Sequence, residues 1–292
     1  MFESKTTQMR LPHLATFATT SLLQGHFLFH DFTDHQAYHD HVVYSPHPGV
    51  LLALFAAHTV VQGLWLFPSS RYGHRLRPSR VRMVGGVDGV DVSAKDHGFD
   101  DADIGGLLPP PTSTRRTQEA DTAEEFAALY ILGNLCLSVF PLAFTRGNYP
   151  LCRLTLFITI IAQLYAIFST LRTEIVQDSE SFRKRNKLPQ LIAKTRIGLG
   201  LLYLWKTWGA FELDMAPPTI NQQILTFLMF LCLALASGPD PTLGFCVTIS
   251  LYAVGIGPSG STGWSSAFVW SATVIGVAVV VDWLFGTWSA EK

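Results

Sequence analysis

Imidazoles crowd into one part of this sequence. All ten histidines precede residue 98, and His26, His30, His35, His39, His41 and His47 fall in one short stretch with Asp31, Asp34 and Asp40 among them. Neutral imidazole suits zinc, copper or, in an oxidase or hydroxylase, iron. Neighbouring carboxylates then act as further ligands or hold the rings in place. His26 and His30 are four apart, so on a helix they share one face about 6 Å apart along the axis. His35, His39 and His41 repeat the pattern in a connecting segment. The sequence therefore nominates His26, His30, His35, His39 and His41 as a metal or proton-responsive site, and leaves out His47, which adjoins Pro48. The alternative is an interfacial loop of exposed histidines that responds to pH.

A second set lies inside apolar stretches, where polar side chains are expensive and tend to mark function. His58 and Gln62 are four apart, Asn134 lies midway along its stretch and Gln163 along another. Together they are candidates for lining an internal polar cavity or proton path, or else for bonding helix to helix. Glu212 and Asp214, close to Trp205, Trp208 and Lys206, are the one carboxylate pair on the side of the histidine cluster, and would divide acid and base roles if their environments separate their pKa values. The two tryptophans read as an interface belt. Lys194 and Arg196 read as long cations that snorkel to headgroups, with Asp282 as a partner. The four cysteines form no C-x-x-C pair and read as small hydrophobes, not as a disulfide framework.

The elements that must position these residues are apolar helices. Of 292 residues 48% are hydrophobic and only 15% charged, against about 25% charged in soluble domains. Eight stretches stand out, at 14–32, 50–67, 125–144, 151–171, 189–208, 221–237, 243–257 and 264–285, with prolines punctuating most of the gaps. The fold class expected is an all-α polytopic membrane bundle of about eight transmembrane helices, or seven if the first is a cleaved signal peptide or the seventh is re-entrant. Three parts follow: a hairpin with the histidine-rich loop at 1–67, a loop at 68–123, and a six-helix bundle at 124–292. The loop is rich in Gly, Pro, Asp, Ser and Thr, which reads as disorder. Its aspartates lack the spacing of a helix–loop–helix calcium site.

Lys and Arg are distributed unevenly among the connections. Alternate segments hold sixteen on one side and one, Arg146, on the other. Positively charged connections stay cytoplasmic, which places both termini and 68–123 there and 33–49 on the other side. Arg183, Lys184, Arg185 and Lys187 then face anionic lipid headgroups. A net charge of −1 gives no field that would draw nucleic acid. Three functions fit: a membrane-embedded enzyme acting on a lipophilic substrate at the non-cytoplasmic mouth, a transporter or channel, and a non-catalytic accessory or assembly protein.

Overall fold

The computed structural model describes residues 2–33, 45–67, 112–171, 187–211, 218–236, 240–257 and 262–290. These residues form eight α-helices and no strand: α1 Phe2–Thr33, α2 Pro48–Leu66, α3 Thr112–Thr145, α4 Tyr149–Thr170, α5 Lys187–Phe211, α6 Ile220–Leu235, α7 Pro241–Gly255 and α8 Thr262–Ala290. Each of the eight apolar stretches becomes a helix. α1 and α3 begin 12 or 13 residues earlier than their apolar stretches, because polar residues continue a helix once its first turns exist. Residues 1–67 and 122–292 form one compact unit, and 68–121 separate as another, of which only the start of α3 is described.

Local chemistry explains where these helices begin and end. Pro48, Pro150 and Pro241 sit in the first turns of α2, α4 and α7, where no backbone N–H is needed. Thr219 and Gln222 form a reciprocal capping box on α6, and the Asp240 carboxylate accepts from the N–H of Thr242 to start α7. α3 stops at Gly147, whose φ of 70° only glycine adopts freely. There the N–H groups of Gly147 and Asn148 fold back on the carbonyls of Phe144 and Ala143, and the Asn148 side chain then caps α4. α4 closes in a π-helical turn over Ala166–Thr170.

Side-chain contacts fix the direction of each helix. Gln24 meets Leu137 and Phe27 meets Phe140, so α1 and α3 run parallel. α3 and α5 are parallel too, through Tyr130 with Arg196 and Phe140 with Tyr203. α2 and α4 oppose them, through Gln62 with Tyr130, Trp65 with Phe126, and Gln163 with Leu129. α7 follows α5, and α8 opposes α7. The chain thus weaves up and down around α5, whose residues 192–207 are buried on every side. Trp205 belongs to this core, against Phe230 and Phe268, and so does not serve in the interface belt expected of it.

Glycine allows α5, α7 and α8 to pack closely. A Cβ on Gly198 would lie 2.9 Å from the Cβ of Cys246, and one on Gly244 would lie 2.4 Å from a methyl of Val279. Outside this core the chain is apolar: Leu64, Leu154, Ile161, Leu225, Trp270 and Val277 are among many large hydrophobic side chains left exposed. Among the described residues, four helical segments are long and apolar enough to cross a membrane, Pro48–Leu66, Glu125–Thr145, Tyr149–Thr170 and Gly263–Gly286. α6 and α7 are apolar but shorter, and α5 is long but carries Lys194, Arg196 and Lys206.

Overpacking at the closest contact has a predictable cost. Gly244→Ala should destabilise the protein by about 1–3 kcal/mol, and adding Val279→Ala should restore much of it. Thermal unfolding in detergent measures both; an unchanged midpoint for Gly244→Ala would show that α7 and α8 are not in tight contact.

Candidate functional site: a polar column beside α5

The three buried cations of α5 point in three directions. At about 100° per residue, Lys194, Arg196 and Lys206 cannot share one face. Lys194 reaches α7, where its Nζ lies 2.5 Å from Asp240 Oδ2. Lys206 reaches α1, with Nζ 2.6 Å from Asp31 Oδ1 and the rings of Phe27 and Phe144 within 6 Å. Arg196 reaches α3. One terminal nitrogen donates to Asn134 Oδ1 at 2.6 Å and the other to the Tyr130 carbonyl at 3.1 Å, while the guanidinium lies 4.8 Å from the Tyr130 ring centre. Ion pairs thus mark the two ends, and a cation held by neutral acceptors lies between them.

These positions correct the sequence reading. Lys194 and Arg196 do not snorkel; Arg196 is fully buried, within about one turn of the middle of α5. Asp282 is exposed on α8 and is not their partner; Asp240 and Asn134 are. A helix cation with no exposed face has no route to a headgroup.

Other polar side chains fill the interval. His58 Nδ1 is 2.8 Å from Thr195 Oγ1, its Nε2 is 2.5 Å from Gln62 Nε2, and the Tyr130 hydroxyl donates to Gln62 Oε1 at 2.6 Å. Nearer the Asp31 end, Thr20 Oγ1 lies 2.8 Å from Ser138 Oγ and 3.0 Å from the Asn134 carbonyl, and Gln24 donates to the Leu137 carbonyl. Tyr203 follows, its hydroxyl buried and without a hydrogen-bond partner among the described residues. Polar groups therefore succeed one another from Lys194 to Lys206, about 18 Å along α5.

Of the residues nominated from the sequence, His58, Gln62, Asn134 and Gln163 are all buried and all adjoin the Arg196 layer. Gln163 donates to the Leu129 carbonyl. Gly133 leaves room for this arrangement, since a Cβ there would meet Arg196 at 2.5 Å and Gln163 at 2.9 Å. Gln163 Oε1, Asn134 Nδ2 and Arg196 Nε have no hydrogen-bond partner among the described residues, so the layer keeps unused bonding capacity. The sequence reading missed Thr20, Tyr130, Ser138 and Thr195, and missed Arg196 as the organiser. The spacing of the three cations on an otherwise apolar helix carried that signal.

The histidine set is only partly in view. His26 and His30 are exposed on α1 with ring centres 6.5 Å apart. His35, His39, His41, Glu212, Asp214, Arg183, Lys184 and Arg185 lie outside the described residues, and Lys187 opens α5 exposed to solvent. Among the described residues no group of three or more His, Cys, Asp or Glu is arranged to hold a metal.

Two measurements probe the energetics. Asn134→Leu strips a buried guanidinium of a charged hydrogen bond and should cost about 1.5–3 kcal/mol. The double variant Asn134→Leu/Arg196→Met removes the charge as well and should be more stable than the sum of the single changes. Strict additivity in unfolding experiments would show that the pair is not coupled. At Asp240, burial raises the carboxyl pKa, but hydrogen bonds from Lys194 and Thr242, with the Lys194 charge, outweigh it and hold the group below the usual carboxylate range. Its contribution is therefore full above the unfolded-state value and lost as pH falls through the lowered one. Asp240→Asn should flatten the acid side of the stability profile, and an unaltered profile would contradict this.

No family model, curated protein or solved structure matches this chain.

Proposed function

We propose that the chain is an eight-span integral membrane protein that carries a polar solute or ion along the column beside α5. One observation carries this reading: polar side chains run from the Lys194–Asp240 pair to the Lys206–Asp31 pair inside a bundle whose exterior is apolar. Water-soluble proteins rarely leave apolar patches of more than a few hundred Å² in contact with water, whereas a bilayer solvates such a surface. Polar groups strung over about 18 Å of such an interior are costly unless they serve passage or bond helix to helix. The connection charges support an orientation in which both termini and 68–123 are cytoplasmic, with Asp31 and Lys206 towards the other side. On this reading Arg183, Lys184, Arg185 and Lys187 contact anionic lipids.

Thiol accessibility tests this without knowledge of the substrate. In a background lacking Cys136, Cys152, Cys232 and Cys246, Thr20→Cys and Ser138→Cys should react with a small membrane-impermeant thiol reagent in liposomes, and Leu135→Cys on the outer face should not. Protection of both column positions from either side would refute the carrier. Ser93→Cys should react from the cytoplasmic side only, and labelling from the opposite side would invert the orientation.

A second reading, a membrane-embedded enzyme acting on a lipophilic substrate, is favoured by His26 and His30, both exposed near Asp31 at one mouth of the bundle. It requires bound zinc, copper or iron in purified protein that His26→Ala/His30→Ala removes; metal-free wild type would reject it.

A further inference from the structure

We infer that His58, Gln62 and Tyr130 form a proton-linked switch on the column, in which the Gln62 amide passes the charge state of His58 to the Tyr130 hydroxyl. The inference rests on the carrier reading and adds the element that gates it.

The argument is one of donors and acceptors. The Tyr130 hydroxyl donates to Gln62 Oε1, which turns Gln62 Nε2 towards His58 Nε2. An amide nitrogen only donates, so His58 Nε2 is the bare nitrogen and Nδ1 carries the hydrogen. That hydrogen goes to Thr195 Oγ1, whose own hydroxyl donates onward to the Leu191 carbonyl at 2.8 Å. The donors run in one direction, from Tyr130 through Gln62, His58 and Thr195 to the Leu191 carbonyl.

One proton added at His58 Nε2 breaks this order. Two N–H groups would then face each other across 2.5 Å in a place closed to water, since His58 and Gln62 are both almost completely buried. Turning the Gln62 amide over resolves the conflict. Its Oε1 then accepts from His58 Nε2–H, its Nε2 donates to Tyr130 Oη, and the Tyr130 hydrogen is released from the pair. One proton is bound and no covalent bond other than the new N–H changes.

Tyr130 is well placed to pass this on, because its carbonyl and its ring both contact Arg196. Arg196 on α5 is the charged group that reaches the switch, through its contacts with Tyr130. The other titratable groups about the switch are Tyr130 itself on α3 and His13 on α1, whose ring stacks on Tyr130 at 5.7 Å. Lys194 is turned away to Asp240, Gln163 on α4 is uncharged, and α2 holds no other ionisable side chain.

Infrared difference spectroscopy between alkaline and acid pH tests the switch, using full-length protein in lipid nanodiscs with isotope-labelled glutamine and tyrosine. Wild type should show an imidazole protonation signal together with shifts of a glutamine carbonyl band and a tyrosine C–OH band. His58→Asn should lose all three changes, Tyr130→Phe only the tyrosine shift, and Gln62→Met should keep His58 protonation and lose the tyrosine shift. The wild-type labelled spectrum alone tests the prediction if a variant fails to fold. A tyrosine shift that survives in Gln62→Met would overturn the inference. So would His58 protonation with no glutamine change, or no protonation of His58 over the pH range in which the protein stays folded. Protection of Thr20→Cys and Ser138→Cys would instead remove the carrier reading while leaving this spectroscopic coupling in place, so the two failures are distinguishable.

Discussion

Three buried positive charges on one apolar helix, pointing in three directions, constrain the rest of this structure. A lone cation near a helix end can extend to water along one face, but Lys194, Arg196 and Lys206 leave α5 no single polar face. Each charge has to meet an acceptor on a different neighbour: Asp240 before α7, Asn134 on α3 and Asp31 on α1. Desolvating an ion costs several kcal/mol unless hydrogen bonds and opposite charge offset it. The helix that carries the charges is therefore enclosed, and its partners fix which helices surround it and at what height.

Enclosing α5 has consequences for the other helices. Its neighbours turn polar groups inward to meet these charges within an otherwise apolar core, while many large apolar side chains stay exposed outside. α7 is only 15 residues, about 22 Å, yet nine of these are buried, so it packs as an inner element beside α5 and need not match a bilayer by itself. Gly198 and Gly244 bring α7 to van der Waals contact with α5 and α8, the small-residue packing expected where no hydrophobic drive holds helices together.

How much of this was legible in the sequence depends on whether the signal was local. The eight helices were, because apolar runs, prolines and caps such as Thr219 and Asp240 act over a few residues. His58, Gln62, Asn134 and Gln163 stood out for the same reason: each is a polar residue in an apolar run. Their partners were not legible. Thr20 and Ser138 look like ordinary helix hydroxyls, and Tyr130 like a lipid-facing ring, until α1 and α3 are placed side by side. Arg196 lies towards one end of its apolar stretch in the sequence, but its azimuth, which distance from that end does not give, turns it into the bundle. Asp240 and Asp31 lie 46 and 175 residues from their lysines, a separation that no spacing rule reaches.

The charge balance of the column carries a further step of reasoning. The end pairs are each neutral, whereas Arg196 is held by a carbonyl, an amide and an aromatic face, so the middle keeps a permanent positive charge. In a carrier of this design that charge repels a bare cation and attracts an anion, and the low dielectric strengthens both effects. A proton on His58 would add a second positive charge on the other side of Tyr130. An anion in the layer and a proton on His58 would then stabilise one another, and by thermodynamic reciprocity each would favour binding of the other. The unused donors on Arg196 and Asn134 are of the kind an anion requires. On the carrier reading proposed above, the charge of this layer would therefore favour an anion over a cation.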